Sequence, residues 1–138
     1  MILVVAILGI MSTIGLTSYH ASLIKSRDIR RKADLDQIKK ALRMYYNDHN
    51  RYPTPGDLPW GGEFSEGTMV YMKEVPKDPR SKQAYNYSVG SCVDDFRLAA
   101  VLEDESDSSI VASHSHCADG CGFTWDTTDK DEYVVCAD

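Results

Sequence analysis

No Asp, Glu, Lys or Arg occurs before Lys25. Residues 1–16 consist of Ile, Leu, Val, Ala, Met and Gly, with Ser12 and Thr13 the only polar positions. A core helix of a soluble domain carries a polar face. This stretch has none, so it is not an ordinary core helix. A bilayer span needs roughly 20 apolar residues, and the uncharged stretch runs on to Ile24. No cation precedes the run and no clear small-residue cleavage site follows it, so it lacks the marks of a secretory signal peptide and reads as retained. Proline and glycine are absent between Leu16 and Asn50, which removes the usual helix breakers. The chain also lacks an internal repeat, a phosphate-binding loop, a catalytic triad and paired carboxylates in a defined pocket, so the expectation is a protein that is not an enzyme.

The charge is split along the chain. Residues 1–51 hold nine Lys or Arg against four Asp or Glu, giving +5; residues 52–138 hold six against seventeen, giving −11, and the two sum to −6. A basic flank beside an apolar span normally stays cytoplasmic, which would put the C-terminal part inside. Four cysteines in an acidic, loop-rich region point instead to an oxidising compartment.

The expected organisation is one helix followed by a small head. Ile24, Leu35, Ile38, Leu42 and Tyr45 recur at helical spacing, Ile29 and Ala33 extend the stripe, and cations fill much of the remaining surface. The reading is a continuous helix over residues 2–47, about 70 Å long at ~1.5 Å per residue. It divides into an apolar part, 1–24, and an amphipathic part, 25–52. Asn47, Asp48, His49, Asn50 and Pro53 stop it. The head spans 53–138. It opens with a Pro- and Gly-rich connector, with a short helical turn expected over 64–71 and another turn between Pro76 and Pro79. Strands are expected over 84–89, 95–102 and 133–136, and a short one over 109–113. The fold class is therefore α+β, with the C-terminal half of the helix packed on a small antiparallel sheet and the apolar half protruding.

The run ILVVAILGI, the segment RDIRRKADLDQIKKALRMYYNDHNRYP over 27–53, YMKEVPKDP over 71–79, Tyr85-Asn86-Tyr87, Phe96-Arg97-Leu98-Ala99-Ala100 and the late Cys136 together carry a likeness. The chain resembles the type IV pilins and the major pseudopilins of type II secretion. That resemblance implies a non-enzymatic subunit of a helical filament, serving adhesion, motility, DNA uptake or secretion. Such subunits wait as single-pass proteins of the inner membrane, with the head outside, and an assembly machinery draws them into a periplasmic or extracellular fibre. It also implies that a short basic leader, removed by a peptidase, sets the orientation, which resolves the topology conflict. Members of the family have an N-terminal aromatic residue and a glutamate just ahead of the apolar run. Here Met1 aligns with the first apolar residue after that glutamate; either upstream residues carry it, which is the expectation, or the subunit assembles without it. Thr17 stands where many pilins have a kinking proline, and Gly15 is the local substitute.

Several groups of residues follow as candidates. Ile2, Leu3, Val4, Val5, Ala6, Ile7, Leu8, Gly9, Ile10, Ile14, Gly15 and Leu16 are expected to pack copy against copy in a filament core. The small residues Ala6, Gly9, Ser12 and Gly15 permit close helix approach. Arg27, Arg30, Arg31 and Lys32 are candidates for ion pairs with the acidic head of a neighbouring copy. The same basic run also raises nucleic acid as a partner, against which the acidic head and the lack of interleaved aromatics argue. Cys92, Cys117, Cys121 and Cys136 permit three disulfide pairings; the preferred one joins Cys92 to Cys117 or Cys121, and the other of these to Cys136. His114, His116, Cys117 and Cys121 have a zinc alternative, although their spacing is not that of a standard zinc finger. No cofactor is required. Calcium is a candidate ligand for Asp126, Asp129, Asp131 and Glu132, with Asp119 and Gly120 a weaker set; major pseudopilins hold calcium in this region, so the resemblance supports it. The alternative function is a single-pass, membrane-anchored binding module outside the cytoplasm, sensing a metal through the Cys/His cluster.

Overall fold

The computed structural model describes residues 2–90, 94–117 and 131–137; over residues 2–18 it describes the backbone and the side chain of Val4. The uninterrupted stretch without proline or glycine forms one helix, α1, Ile2–His49, of 48 residues. At ~1.5 Å per residue it is about 72 Å long. Its C-terminal half buries one face: Asp28, Arg31, Asp34, Leu35, Ile38, Ala41, Leu42 and Tyr45, each three or four residues from another of the set, are all buried. The helix runs slightly past its expected end. Asn50 takes a left-handed φ of 52°, its N–H donates to the Tyr46 carbonyl at 2.8 Å, and the chain turns away. Ile29 and Ala33 do not belong to the buried stripe. Ile29 is 58% exposed and Ala33 is also exposed, because both fall on the opposite side of the helix from Leu35 and Ile38.

Residues 64–72 form a hairpin rather than the expected helical turn. Strands β1, Phe64–Glu66, and β2, Met69–Met72, pair antiparallel, with Glu66 opposite Met69. The two-residue connection places Gly67 at φ +61°, a conformation that glycine adopts without a Cβ penalty and that suits tight hairpins. Tyr71 and Phe64 are held against Tyr45 of α1, with ring centroids 5.3 and 5.4 Å away.

The sheet proper has three antiparallel strands in the order β3-β4-β5: Asn86–Val89, Phe96–Val101 and Glu132–Cys136. The period-two rule assigns the faces of the sheet. Phe96, Leu98 and Ala100 enter the main core with Leu35, Ile38 and Leu42, and Tyr133 and Val135 pack at its margin. Ala99, Val134 and Cys136 point the other way and meet Cys117. A second helix, α2, Ser108–His116, covers that second face. The expected strand over 109–113 is therefore a helix. Asp107 caps it by accepting from the Ser109 N–H at 2.9 Å. Ile110 and Ser113, three apart, turn inward, and the Ser113 hydroxyl accepts from the Val134 N–H at 3.1 Å. A good cap and an i,i+3 inward pair outweigh the β preference of Ile110 and Val111, and Val111 is left 74% exposed. The sheet is thus sandwiched between α1 and α2, as an α+β fold with a long N-terminal helix.

Phe96, Leu35, Ile38, Leu42 and Leu98 are all less than 2% exposed. Truncating a large apolar residue at such a site costs about 3–5 kcal/mol for Phe→Ala. Phe96→Ala is expected to lower the unfolding free energy by about that much in urea titration; a loss below about 1 kcal/mol would mean that the sheet does not rest on α1 there.

Candidate assembly surface

Two parts of α1 carry the residues singled out from the sequence. The apolar candidates from Ile2 to Leu16 all lie on the helical backbone; apart from Val4, their side chains are outside the described residues. Val4 is 60% exposed, Tyr19 is 60% exposed, and residues 20–23 are exposed as well. Toward the N terminus the first ion pair to the head is made by Arg27. Residues 2–26 add about 37 Å of helix on the N-terminal side of that pair at ~1.5 Å per residue. Among the described residues, no helix is long and apolar enough to cross a membrane.

Three of the four cations offered as candidates for ion pairs with a neighbouring copy, Arg27, Arg31 and Lys32, pair within the chain instead. Arg27 grips Glu103 with two parallel bonds, Nε to Oε1 at 2.7 Å and Nη2 to Oε2 at 2.6 Å. Arg31 is 3% exposed and joins three carboxylates: Asp28 at 2.6 Å, Asp78 at 2.6 Å and Glu103 at 2.9 Å. Lys32 pairs with Asp107 and sits 5.5 Å from the Tyr133 ring centroid. Arg80 adds a 3.2 Å contact to Glu103 from the solvent side. Asp28 accepts from the backbone N–H groups of Glu103 and Asp104 at 3.0 and 2.9 Å. The helix thereby holds the loop between β4 and α2. Arg30 alone of the four remains exposed without an ion pair among the described residues.

These contacts set the ionisation of the site. The Arg27 fork, with Arg31 behind it, lowers Glu103 to about 2 against the cost of burial. Lys32 and the Ser109 N–H lower Asp107 to about 2. Burial pushes Asp78 up, but Arg31 and the N–H groups of Ser81 and Arg80 overcome it and bring the carboxyl to about 2. Burial disfavours the Arg31 charge, yet its three carboxylate partners raise its pKa. Asp34 moves the other way: burial raises it, opposed by the Tyr85 hydroxyl that donates to it at 2.8 Å.

Cys117 and Cys136 form a disulfide with Cα atoms 5.7 Å apart, tying the end of α2 to β5. It is one of the two pairings that the sequence leaves open for Cys136. The complement of that bond is Cys92 with Cys121, and both lie outside the described residues. The zinc alternative loses Cys117, whose sulfur is covalently occupied. His114 and His116 are two apart on a helix, about 200° around it, and His114 Nε2 lies 2.7 Å from the Glu132 carbonyl. Of the calcium candidates, Asp126 and Asp129, like Asp119 and Gly120, lie outside the described residues. Glu132 accepts from Asn86 Nδ2 at 2.8 Å, and the Asp131 carbonyl accepts from the Leu102 N–H. Among the described residues, no group of three or more His, Cys, Asp or Glu is arranged to hold a metal.

The buried acids were the residues least visible in the sequence. Asp28 and Asp34 look like surface positions on an amphipathic helix, and the one local signal is the i,i+3 spacing of Asp28 and Arg31. Comparison with family models, curated proteins and solved structures finds no match.

Removing Arg31 leaves three carboxylates facing one another, and breaking a buried pair from one side costs about 3–5 kcal/mol. Arg31→Met is expected to lose that amount in chemical denaturation; a neutral result would show that the network is not structural. Glu103, Asp78 and Asp107 hold their protons less tightly when folded than when unfolded. Their stabilisation is complete above the ordinary carboxylate values of 3.8 to 4.5 and is lost as pH falls toward 2. Asp34 works in the opposite sense, with a single group against three. Melting temperature is expected to fall most steeply between pH 4.5 and 2, and Glu103→Gln is expected to flatten that slope. Reducing the Cys117–Cys136 bond is expected to cost about 2–4 kcal/mol, read by melting with and without reductant.

Proposed function

We propose that the chain is a structural subunit of a helical, type IV pilin-like filament. The observation that carries this reading is the division of labour along α1. Its C-terminal half is wedged into the head by Leu35, Ile38, Leu42 and Arg31, while its N-terminal half projects past the head with an apolar sequence. An uncharged projection of that length needs lipid or other copies around it. Lipid tails and aliphatic side chains are similarly apolar, so transfer from one to the other is close to neutral and packing decides the balance. A subunit held in a membrane can then be drawn into a fibre without a large penalty. Ala6, Gly9, Ser12 and Gly15 keep the projecting helix slim enough for close approach in that fibre.

The head plays the outward role. A disulfide and an internal charge network suit a small domain with many loops that works outside the cytoplasm. The sequence resemblance to pilins and major pseudopilins supports the same reading, with the inner membrane as the site before assembly and no catalytic role.

Electron microscopy of material sheared from the producing cells tests the proposal. The expected result is fibres a few nanometres wide, with α1 helices at the axis. Deleting residues 1–24 is expected to abolish fibres while leaving a soluble monomer with an unchanged circular-dichroism melting curve. Membrane-bound monomers as the only form of the intact chain would overturn the reading.

A further inference from the structure

Beside the engaged belt lies a cleft of about 540 Å³ in which three exposed cations converge, Arg30 within electrostatic reach of Asp34. Arg30 comes from α1, Lys77 from the segment after β2, and Lys82 from the turn that follows. All three are exposed, and among the described residues none makes an ion pair. The acids at the cleft are Asp34, which is buried and already accepts from Tyr85, and the exposed Glu74. The cleft is thus cationic on a head whose residues 52–138 carry −11.

The cleft is built rather than incidental. Gly61 has φ +75°, and a Cβ there would lie 2.8 Å from Lys77 Cε, so glycine lets the lysine stem lie across the backbone. Lys82 holds a left-handed φ of 60°, which is uncommon for a side chain of that size. Its N–H donates to the Asp78 carbonyl, while the Asp78 carboxylate accepts from the N–H groups of Arg80 and Ser81. Asp78 is in turn anchored by Arg31. The same network that braces the head therefore fixes where Lys82 sits.

The geometry points to this cleft as the receiving half of a contact between copies, its occupant being an acidic segment of a second copy of this chain. Charge complementarity chooses the occupant. The exposed Asp94, Asp104 and Glu105 carry carboxylates that Arg27, Arg31 and Lys32 leave unclaimed. The inference deepens the filament reading and rests on it: of the basic belt it keeps only Arg30 for the contact between copies, and it adds Lys77 and Lys82.

The test uses full-length chains co-expressed as unlabelled and ¹⁵N-labelled copies, assembled and then treated with a zero-length carbodiimide. Mixed-isotope cross-links from Lys77 or Lys82 to a head carboxylate are expected. The triple variant Arg30→Gln, Lys77→Gln, Lys82→Gln is expected to melt close to the parent, because among the described residues none of the three makes an ion pair. It is expected to need roughly tenfold or more protein to assemble, since each of three exposed pairs contributes severalfold at most. Fibres of the parent chain should also loosen as salt rises. If the parent forms fibres but the variant assembles equally well, and mixed-isotope links at Lys77 and Lys82 are absent, this inference falls while the filament reading stands. Loss of DNA binding in the variant with assembly unchanged would overturn it in favour of a nucleic-acid occupant. A parent chain that never assembles removes both.

Discussion

Arg31 is the constraint on which the head depends. A guanidinium taken almost wholly out of water is tolerated only where its donors are used, and here Asp28, Asp78 and Glu103 use them. Each of these acids belongs to a different segment: α1 itself, the turn before β3, and the loop after β4. The apolar core alone would let these loops settle in several ways, because they contribute few buried side chains. The charge network chooses one arrangement. It also explains why so acidic a domain stays compact, since several of its carboxylates are neutralised internally by the helix.

The overall architecture was legible because its signals are periodic. The long helix follows from the absence of breakers and from Leu35, Ile38, Leu42 and Tyr45. The strands around Asn86, Phe96 and Tyr133 follow from alternation, and each was placed to within about two residues. The misreadings have physical causes. In the 108–116 segment a side-chain cap at Asp107 overrode the β preference of its aliphatic pair. Over 64–72 the runs flanking Gly67 are too short for alternation to distinguish a two-residue turn from a turn of helix. Ile29 and Ala33 are apolar, but their angular position on α1 puts them outside.

The charge network was the part least accessible from sequence. Arg31–Asp78 and Arg27–Glu103 join residues 47 and 76 positions apart, and no local pattern announces such a pairing. A belt of cations on a helix looks the same whether it faces solvent, a neighbour or its own head. The distinction rests on where β4 ends and α2 begins, which is a tertiary fact. The cationic cleft is hidden for the same reason, since Arg30, Lys77 and Lys82 are brought together by the turn anchored on Asp78.

The covalent bond between Cys117 and Cys136 has a consequence for crowding. Strand β5 is an edge of the sheet and the last strand in the chain, the kind of element most easily traded between neighbouring molecules. Fastened at Cys136 to the end of α2, it cannot be traded by itself: any exchange into the sheet of another molecule has to carry α2 along, and with it the Asp107 cap that Lys32 holds.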